Sequence, residues 1–316
     1  MDSNPKEEPM PHKSMDLPSV SSSGESFHVG VPLTEKEQEL VEQLKEEVRP
    51  VVQADHALQL FCNDHTYVRY MRARSWDLKK ATKMLLATLE WRKDYKPHLI
   101  RWEEVKPESV TGKQMIYPVP DKSGRPIVLM RPRLENSKQT ERQIKFLIYH
   151  LEIASRMADR TGVGKMCWLL DFTSYSLSNA PPLKVSITCN NILQNHYPER
   201  LGLAVCWHAP TLFSMTWKAV RPFIDPNTQK KIHFINEGPK EPEEMNARFH
   251  MEDMEECMGG GKKGFAFELG TYERRMLEYD ADVEAELSHM AKLASSNVKP
   301  DYKLIPLATA AAQPPA

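Results

Sequence analysis

His196-Tyr197-Pro198-Glu199-Arg200 opens a stretch that runs through an apolar strand and an apolar helix to Phe223-Ile224-Asp225-Pro226-Asn227-Thr228-Gln229-Lys230-Lys231-Ile232. Strand-length and helix-length apolar runs alternate here, and the charges collect in the turns. The same alternation begins at Gly124 and predicts strands over Pro126 to Met130, Lys165 to Phe172, Leu203 to His208 and Lys231 to Ile235. The intervening helices are expected at Glu141 to Ala158, with Thr140 and Gln143 as a capping box, at Pro182 to Leu193, and at Thr211 to Arg221. Strands and helices in this order make an α/β domain with a mainly parallel or mixed sheet.

Upstream the pattern is helical. Thr34 and Glu37 form a capping box, and Leu40, Val41, Leu44 and Val48 follow at helical spacing until Pro50, which is expected to stop the run. Asp77 caps a second segment in which Leu78, Ala81, Leu85 and Leu89 share a face. Downstream of Gly259-Gly260-Gly261, which reads as a glycine hinge, Leu269, Tyr272, Met276 and Tyr279 give a weak stripe expected to pack on the outside. The division expected is a disordered tail over 1–33, a helical domain over 34–100, an α/β domain over 101–265, a helical extension over 266–295 and a second tail over 296–316.

Composition excludes several classes. The chain of 316 residues has a net charge of −1, which argues against a dedicated nucleic-acid binder. Its five cysteines, Cys62, Cys167, Cys189, Cys206 and Cys257, lack Cys-x-x-Cys spacing and read as reduced, mostly buried thiols. The start, Met1-Asp2-Ser3-Asn4, has neither a signal-peptide apolar run nor a myristoylation glycine, and no window is apolar enough to span a bilayer. The expectation is a cytoplasmic protein, peripheral on membranes.

Enzyme-like signals are weak. Gly162-Val163-Gly164-Lys165-Met166 lacks the spacing of a phosphate-binding loop and precedes a strand instead of opening a helix. His196, His208 and His233 have neither metal-ligand spacing nor a nucleophile partner and read as satisfied core or rim residues. No catalytic residue, metal ligand or cofactor site is assigned. One helix is unusual: Leu212, Phe213, Met215, Trp217 and Val220 cannot all face one core, so the segment 211–221, bracketed by Pro210 and Pro222, has a second apolar face to cover. Sandwiching between the sheet and later helices would also account for it.

The quoted stretch, together with Tyr70-Met71-Arg72-Ala73-Arg74-Ser75-Trp76-Asp77 and Gly124-Arg125-Pro126-Ile127-Val128, resembles the CRAL-TRIO lipid-binding family, close to the phosphatidylinositol transfer proteins of the yeast and plant type. The resemblance spans roughly residues 36 to 265. It implies a small helical domain packed on an α/β domain that encloses an apolar lipid cavity, gated by the helix at 211–221. It places Arg74, Glu199, Thr228 and Lys231 at a phosphatidylinositol headgroup, with Met166, Trp168, Leu212, Phe213, Met215, Trp217 and Val220 toward the acyl chains or gate. Two departures matter. Ser75 stands where many members have lysine, and Met166 and Trp168 stand where carriers of phosphatidylcholine have small hydroxylated residues. The face they share with Leu170 is bulky and apolar, which argues against phosphatidylcholine as the exchanged lipid.

The function so implied is non-enzymatic binding and intermembrane transfer or presentation of phosphatidylinositol, by a monomer that meets membranes transiently and presents its lipid to a phosphoinositide kinase. Phospholipid is the ligand and no cofactor is needed. A two-chain phospholipid carries about 30 methylenes, and at about 0.8 kcal/mol each its release into water would cost roughly 25 kcal/mol, so exchange has to occur at a bilayer through an opened lid. Two other readings stay open at this point: a carrier of a small hydrophobic ligand such as a tocopherol, retinoid or sterol, and a protein-interaction adaptor built on the same fold.

Overall fold

The structure, a computed structural model, describes residues 33–176, 178, 183–211, 213, 217–218 and 221–295. Apart from Leu33, both expected tails lie outside the described residues, as do Leu212, Met215 and Val220 of the expected gate helix.

The N-terminal layer is helical: α1 (Glu35–Gln53), α2 (His56–Phe61), α3 (Asp64–Ala73) and α4 (Leu78–Tyr95). Thr34 and Glu37 form the expected capping box and Asp77 caps α4 through the Lys80 N–H. Pro50 does not stop α1, which continues to Gln53. Val48 and Val52 on either side of the proline are buried with Leu58, Tyr70 and Leu85, and this burial outweighs the hydrogen bond that proline cannot donate. The polar break expected between the two helices holds α2 and α3, capped by Asp55 and Asn63.

The α/β layer follows. α5 (Trp102–Ser109) leads into a five-stranded sheet of order β1 (Gln114–Ile116), β2 (Ile127–Met130), β3 (Met166–Asp171), β4 (Leu201–Trp207) and β5 (Ile232–Ile235). β1 runs antiparallel to β2 and the other pairs are parallel, so the sheet is mixed. The crossovers carry α6 (Thr140–Arg160), α7 (Leu183–His196) and the short α8 (Pro226–Gln229). α6 begins at Thr140 itself with no side-chain cap, so the expected Thr140–Gln143 capping box does not form. Ser137 orders the entry instead, its hydroxyl accepting from Gln139 N–H and its carbonyl from the Gln143 amide.

In parallel pairing, matched residues lie on one face. Leu129, Leu169 and Val205 are all 0% exposed, whereas Met130, Trp168, Leu170 and Ile232 on the other face are half-buried and Phe234 is 38% exposed. After α9 (Glu241–Asn246), α10 (Leu269–Ser295) closes the described chain. It does not simply lie outside: Tyr272 and Met276 are buried in the main core. The Tyr272 hydroxyl accepts from Ile116 N–H and donates to His150 Nε2 at 2.9 Å, which leaves His150 Nδ1–H for the Phe146 carbonyl. The three glycines are not a free hinge either. A side chain at Gly260 would collide with the Met254 carbonyl, and Glu255 bridges to Lys262 across the turn.

Candidate functional site

Charged side chains gather where the parallel strands begin. Arg125 precedes β2, Lys165 precedes β3, Glu199 and Arg200 precede β4, and Lys231 precedes β5, so the topology brings four separated segments to one sheet edge. The Lys231 ammonium lies 3.6 Å from the Glu199 carboxylate, both side chains being partly exposed. Glu199 reaches this place from a turn in which its φ is 57°, a left-handed conformation costing a non-glycine residue on the order of 1 kcal/mol. Thr228 sits in α8, whose first turn is capped by Asp225, and its carbonyl accepts from Lys231 N–H at 3.0 Å. The end of α8 thereby ties Thr228 through the backbone to Lys231, whose ammonium faces Glu199.

Lys165 joins this group. Burial, and next the Lys231 ammonium, lower its pKa, with further repulsion from Arg72 and Arg125 and opposition from Glu199. Gly202 makes the crowding feasible, because a Cβ there would come within 2.7 Å of Arg125 Cδ. The sequence reading missed Lys165 and Arg125 as site candidates. Lys165 was visible only as the lysine of the rejected phosphate-loop lookalike, and that segment does precede a strand. Arg74, in contrast, closes α3 and donates to the Ala73 carbonyl at 3.0 Å; among the described residues no ion pair joins it to Glu199.

The opposite, carboxyl edge of the strands is aromatic. The Phe213 ring lies 4.3 Å from Phe172, 6.2 Å from Tyr175 and 6.4 Å from Phe234, and Trp217 lies 5.5 Å from Phe234. Trp168 and Met166 share one face of β3, with the indole Nε1 3.4 Å from the Met166 sulfur. The same edge is stiffened by a buried ion network in which Arg131 meets Asp171 and Glu255, while Arg133 pairs with Asp171 at 2.6 Å. Nothing in the sequence pattern marked this network, because Arg131 and Asp171 are single charges at the ends of apolar runs and Glu255 is one of several acidic residues in a mixed segment.

Among the described residues no group of His, Cys, Asp or Glu could hold a metal ion, and no helix is long and apolar enough to cross a membrane. The histidines are packed: His196 stacks on Trp91 at 4.2 Å, and His208 shares Glu241 with the Trp207 indole. All five cysteines are free thiols, Cys62, Cys167 and Cys206 being buried.

A helical layer, a mixed five-stranded sheet and charged strand starts define a class that comparison with known proteins identifies. Residues 110–260 match the CRAL/TRIO domain and residues 35–87 the CRAL/TRIO N-terminal domain. The chain belongs to the CRAL-TRIO family. It is 34% identical to the phosphatidylinositol transfer protein PDR17 of Saccharomyces cerevisiae over 199 residues, covering 58% of this chain and 56% of that one. A CRAL-TRIO domain-containing protein of Schizosaccharomyces pombe is 34% identical over 56% of this chain and 17% of its own length. The SEC14 cytosolic factor of Eremothecium gossypii is 29% identical over 81% of this chain and 86% of its own. This chain thus spans little more than half of PDR17 and a small part of the fission-yeast relative. The crystal structure of Sfh5 superposes with a TM-score of 0.57 at 16% identity, covering 77% of this chain and 92% of that one, which establishes likeness of fold.

Proposed function

We propose that this protein binds phosphatidylinositol and transfers it between membranes or presents it there, without making or breaking a bond. The observation that carries the reading is the pairing of Glu199 with Lys231, to which Thr228 is tied through the backbone, with Lys165 and Arg125 alongside, at one end of the parallel strands. A phosphodiester removed from water requires a nearby cation and hydrogen-bond donors, and inositol hydroxyls require acceptors; Lys231 and Lys165 beside the Glu199 carboxylate offer both, while Arg125 is already paired with Asp121 at 2.6 Å. Lys231 and Lys165 would face the phosphate, Glu199 would accept from ring hydroxyls, and the Thr228 hydroxyl would donate to a phosphate oxygen. Arg74 is kept as a more distant contributor of positive charge.

The half-covered apolar face lies beside that edge. β4 has seven residues and so rises about 23 Å, comparable with an extended acyl chain. A lipid with its head at Lys231 and its chains along Trp168, Leu170 and Phe234 would reach the Phe172–Phe213 aromatic cluster, where the segment 211–221 would act as the gate. The enclosed cavity and the gate are part of the proposal. The relative named as phosphatidylinositol transfer protein PDR17 supports it, and the one named SEC14 cytosolic factor supports a protein that visits membranes from the cytoplasm.

The bulk of Met166 and Trp168 favours a second reading for the exchange partner, a lipid less polar than phosphatidylcholine. Transfer of labelled phosphatidylinositol between vesicles separates the main reading from a carrier of neutral lipophiles. Lys231→Glu should abolish phosphatidylinositol transfer, and a neutral ligand should be carried as before.

A further inference from the structure

Away from the strand edges, a cleft of about 70 Å³ opens between the helical N-terminal layer and helices α6 and α10. Five arginines line it: Arg69, Arg92, Arg156, Arg160 and Arg200. Carboxylates answer four of them. Glu152 pairs with Arg92 at 2.7 Å, Asp159 with Arg200 at 2.5 Å, and Glu286 is shared by Arg156 and Arg160, the latter also 3.5 Å from Asp282.

Arg69 is the fifth. It is 7% exposed, and its Nη atoms donate to two neutral acceptors, the Pro198 carbonyl at 3.1 Å and the Thr66 hydroxyl at 2.9 Å. Among the described residues no carboxylate lies within ion-pair distance of it. Its Nε, those of Arg92 and Arg156, the Ser155 hydroxyl and His98 Nδ1 have no hydrogen-bond partner, and all five residues belong to the cleft. A buried guanidinium beside another guanidinium disfavours its own charge, and burial followed by the Arg200 charge pushes Arg69 down to about 9.

We propose that this cleft is a binding site for a phosphate-type oxyanion, either free or as the phosphomonoester of a larger molecule. Such an anion supplies the missing counter-charge for Arg69, and its tetrahedral oxygens offer acceptors in several directions to donors that converge from different helices. A cleft of about 70 Å³ is large enough for several waters and so for a phosphate-sized anion. It is distinct from the Lys231 edge, yet Arg69 grips the Pro198 carbonyl directly before Glu199, so an occupant would brace the turn that carries Glu199.

Equilibrium dialysis of the full chain against labelled inorganic phosphate, at fixed ionic strength, tests the site. Saturable one-to-one binding is expected, weakened about tenfold or more by Arg69→Gln. Because Arg69 also supports the 198–200 turn, Ser155→Ala and Arg156→Gln serve as independent variants, each expected to weaken binding in a protein whose circular dichroism is unchanged. Phosphatidylcholine vesicles containing phosphatidylinositol 4-phosphate, added as competitor, distinguish the sources. Displacement of the labelled phosphate assigns a lipid headgroup, and its retention assigns free phosphate. Absence of saturable phosphate binding, or binding unaltered by all three substitutions, overturns the proposal.

Discussion

The Glu199 carboxylate faces the Lys231 ammonium at 3.6 Å from a residue held at φ 57°, so a strained turn and a strand start are joined by charge across the β4–β5 edge. A left-handed glutamate is a cost that glycine would avoid. Glu199→Gly is therefore expected to leave the fold as stable or more stable by up to about 1 kcal/mol, while lowering phosphatidylinositol transfer. Urea denaturation beside a vesicle transfer assay checks both halves; a variant that is destabilised yet transfers normally would refute the assignment of Glu199 to the ligand.

Arg92 and Glu152 carry a separate load, joining α4 to α6 through two hydrogen bonds of 3.0 and 2.7 Å. Burial opposes ionisation of Glu152, but the Arg92 guanidinium and the Tyr197 hydroxyl overcome it and hold the carboxyl at about 2. A depressed carboxyl pKa stabilises the fold fully above the unfolded value of 4.5, and the contribution drains away as pH falls toward 2. Glu152→Gln should cost about 3 kcal/mol at pH 7. The gap between wild type and variant in urea midpoints should narrow below pH 4.5.

His150 titrates in a higher window. Burial holds it at about 4, and the chain from Ile116 N–H through the Tyr272 hydroxyl to Nε2 leaves no acceptor for a second ring proton. Its contribution is complete above 6.5 and is lost as pH falls toward 4, a window shared by His98 and His196. Stability should start to fall below about pH 6.5, with each histidine adding at most about 1.4 kcal/mol per pH unit to the slope. His150→Asn should remove one such increment, measured by denaturation between pH 7 and 4.5.

The face of β3 offers a gain-of-function test. If Met166 and Trp168 exclude a choline phosphate by bulk and lack of donors, the double change Met166→Ser and Trp168→Thr should let the protein capture phosphatidylcholine from vesicles. Emptying so large a side chain should also cost about 3 kcal/mol of stability if nothing refills the space. Capture by the wild type equal to that of the double variant would remove the steric argument.

Much of the architecture could be read from periodicity because β2 to β5 are short, largely apolar and bounded by turn residues. β1 escaped because Gln114–Ile116 is three residues long and is made a strand by pairing with β2 alone. Pro50 misled for the opposite reason: a local rule about proline was outweighed by the burial of Val48 and Val52, which only the packed domain supplies. The candidate site shows the same divide. Glu199, Thr228 and Lys231 were named from a family likeness, whereas Lys165 and Arg125 enter through sheet order, which places the ends of distant segments side by side. Arg72 and Arg74 sit two residues apart, and only three-dimensional placement distinguishes the one whose charge acts on Lys165.

The central claim is that Lys231 marks a phosphatidylinositol headgroup site. Purification of wild type and Lys231→Ala from cells, solvent extraction and mass spectrometry of the co-purifying lipid test it most directly. The account predicts phosphatidylinositol with the wild type and its loss from the variant. A neutral lipophile held equally by both would contradict it and move the ligand to the Trp168 face alone.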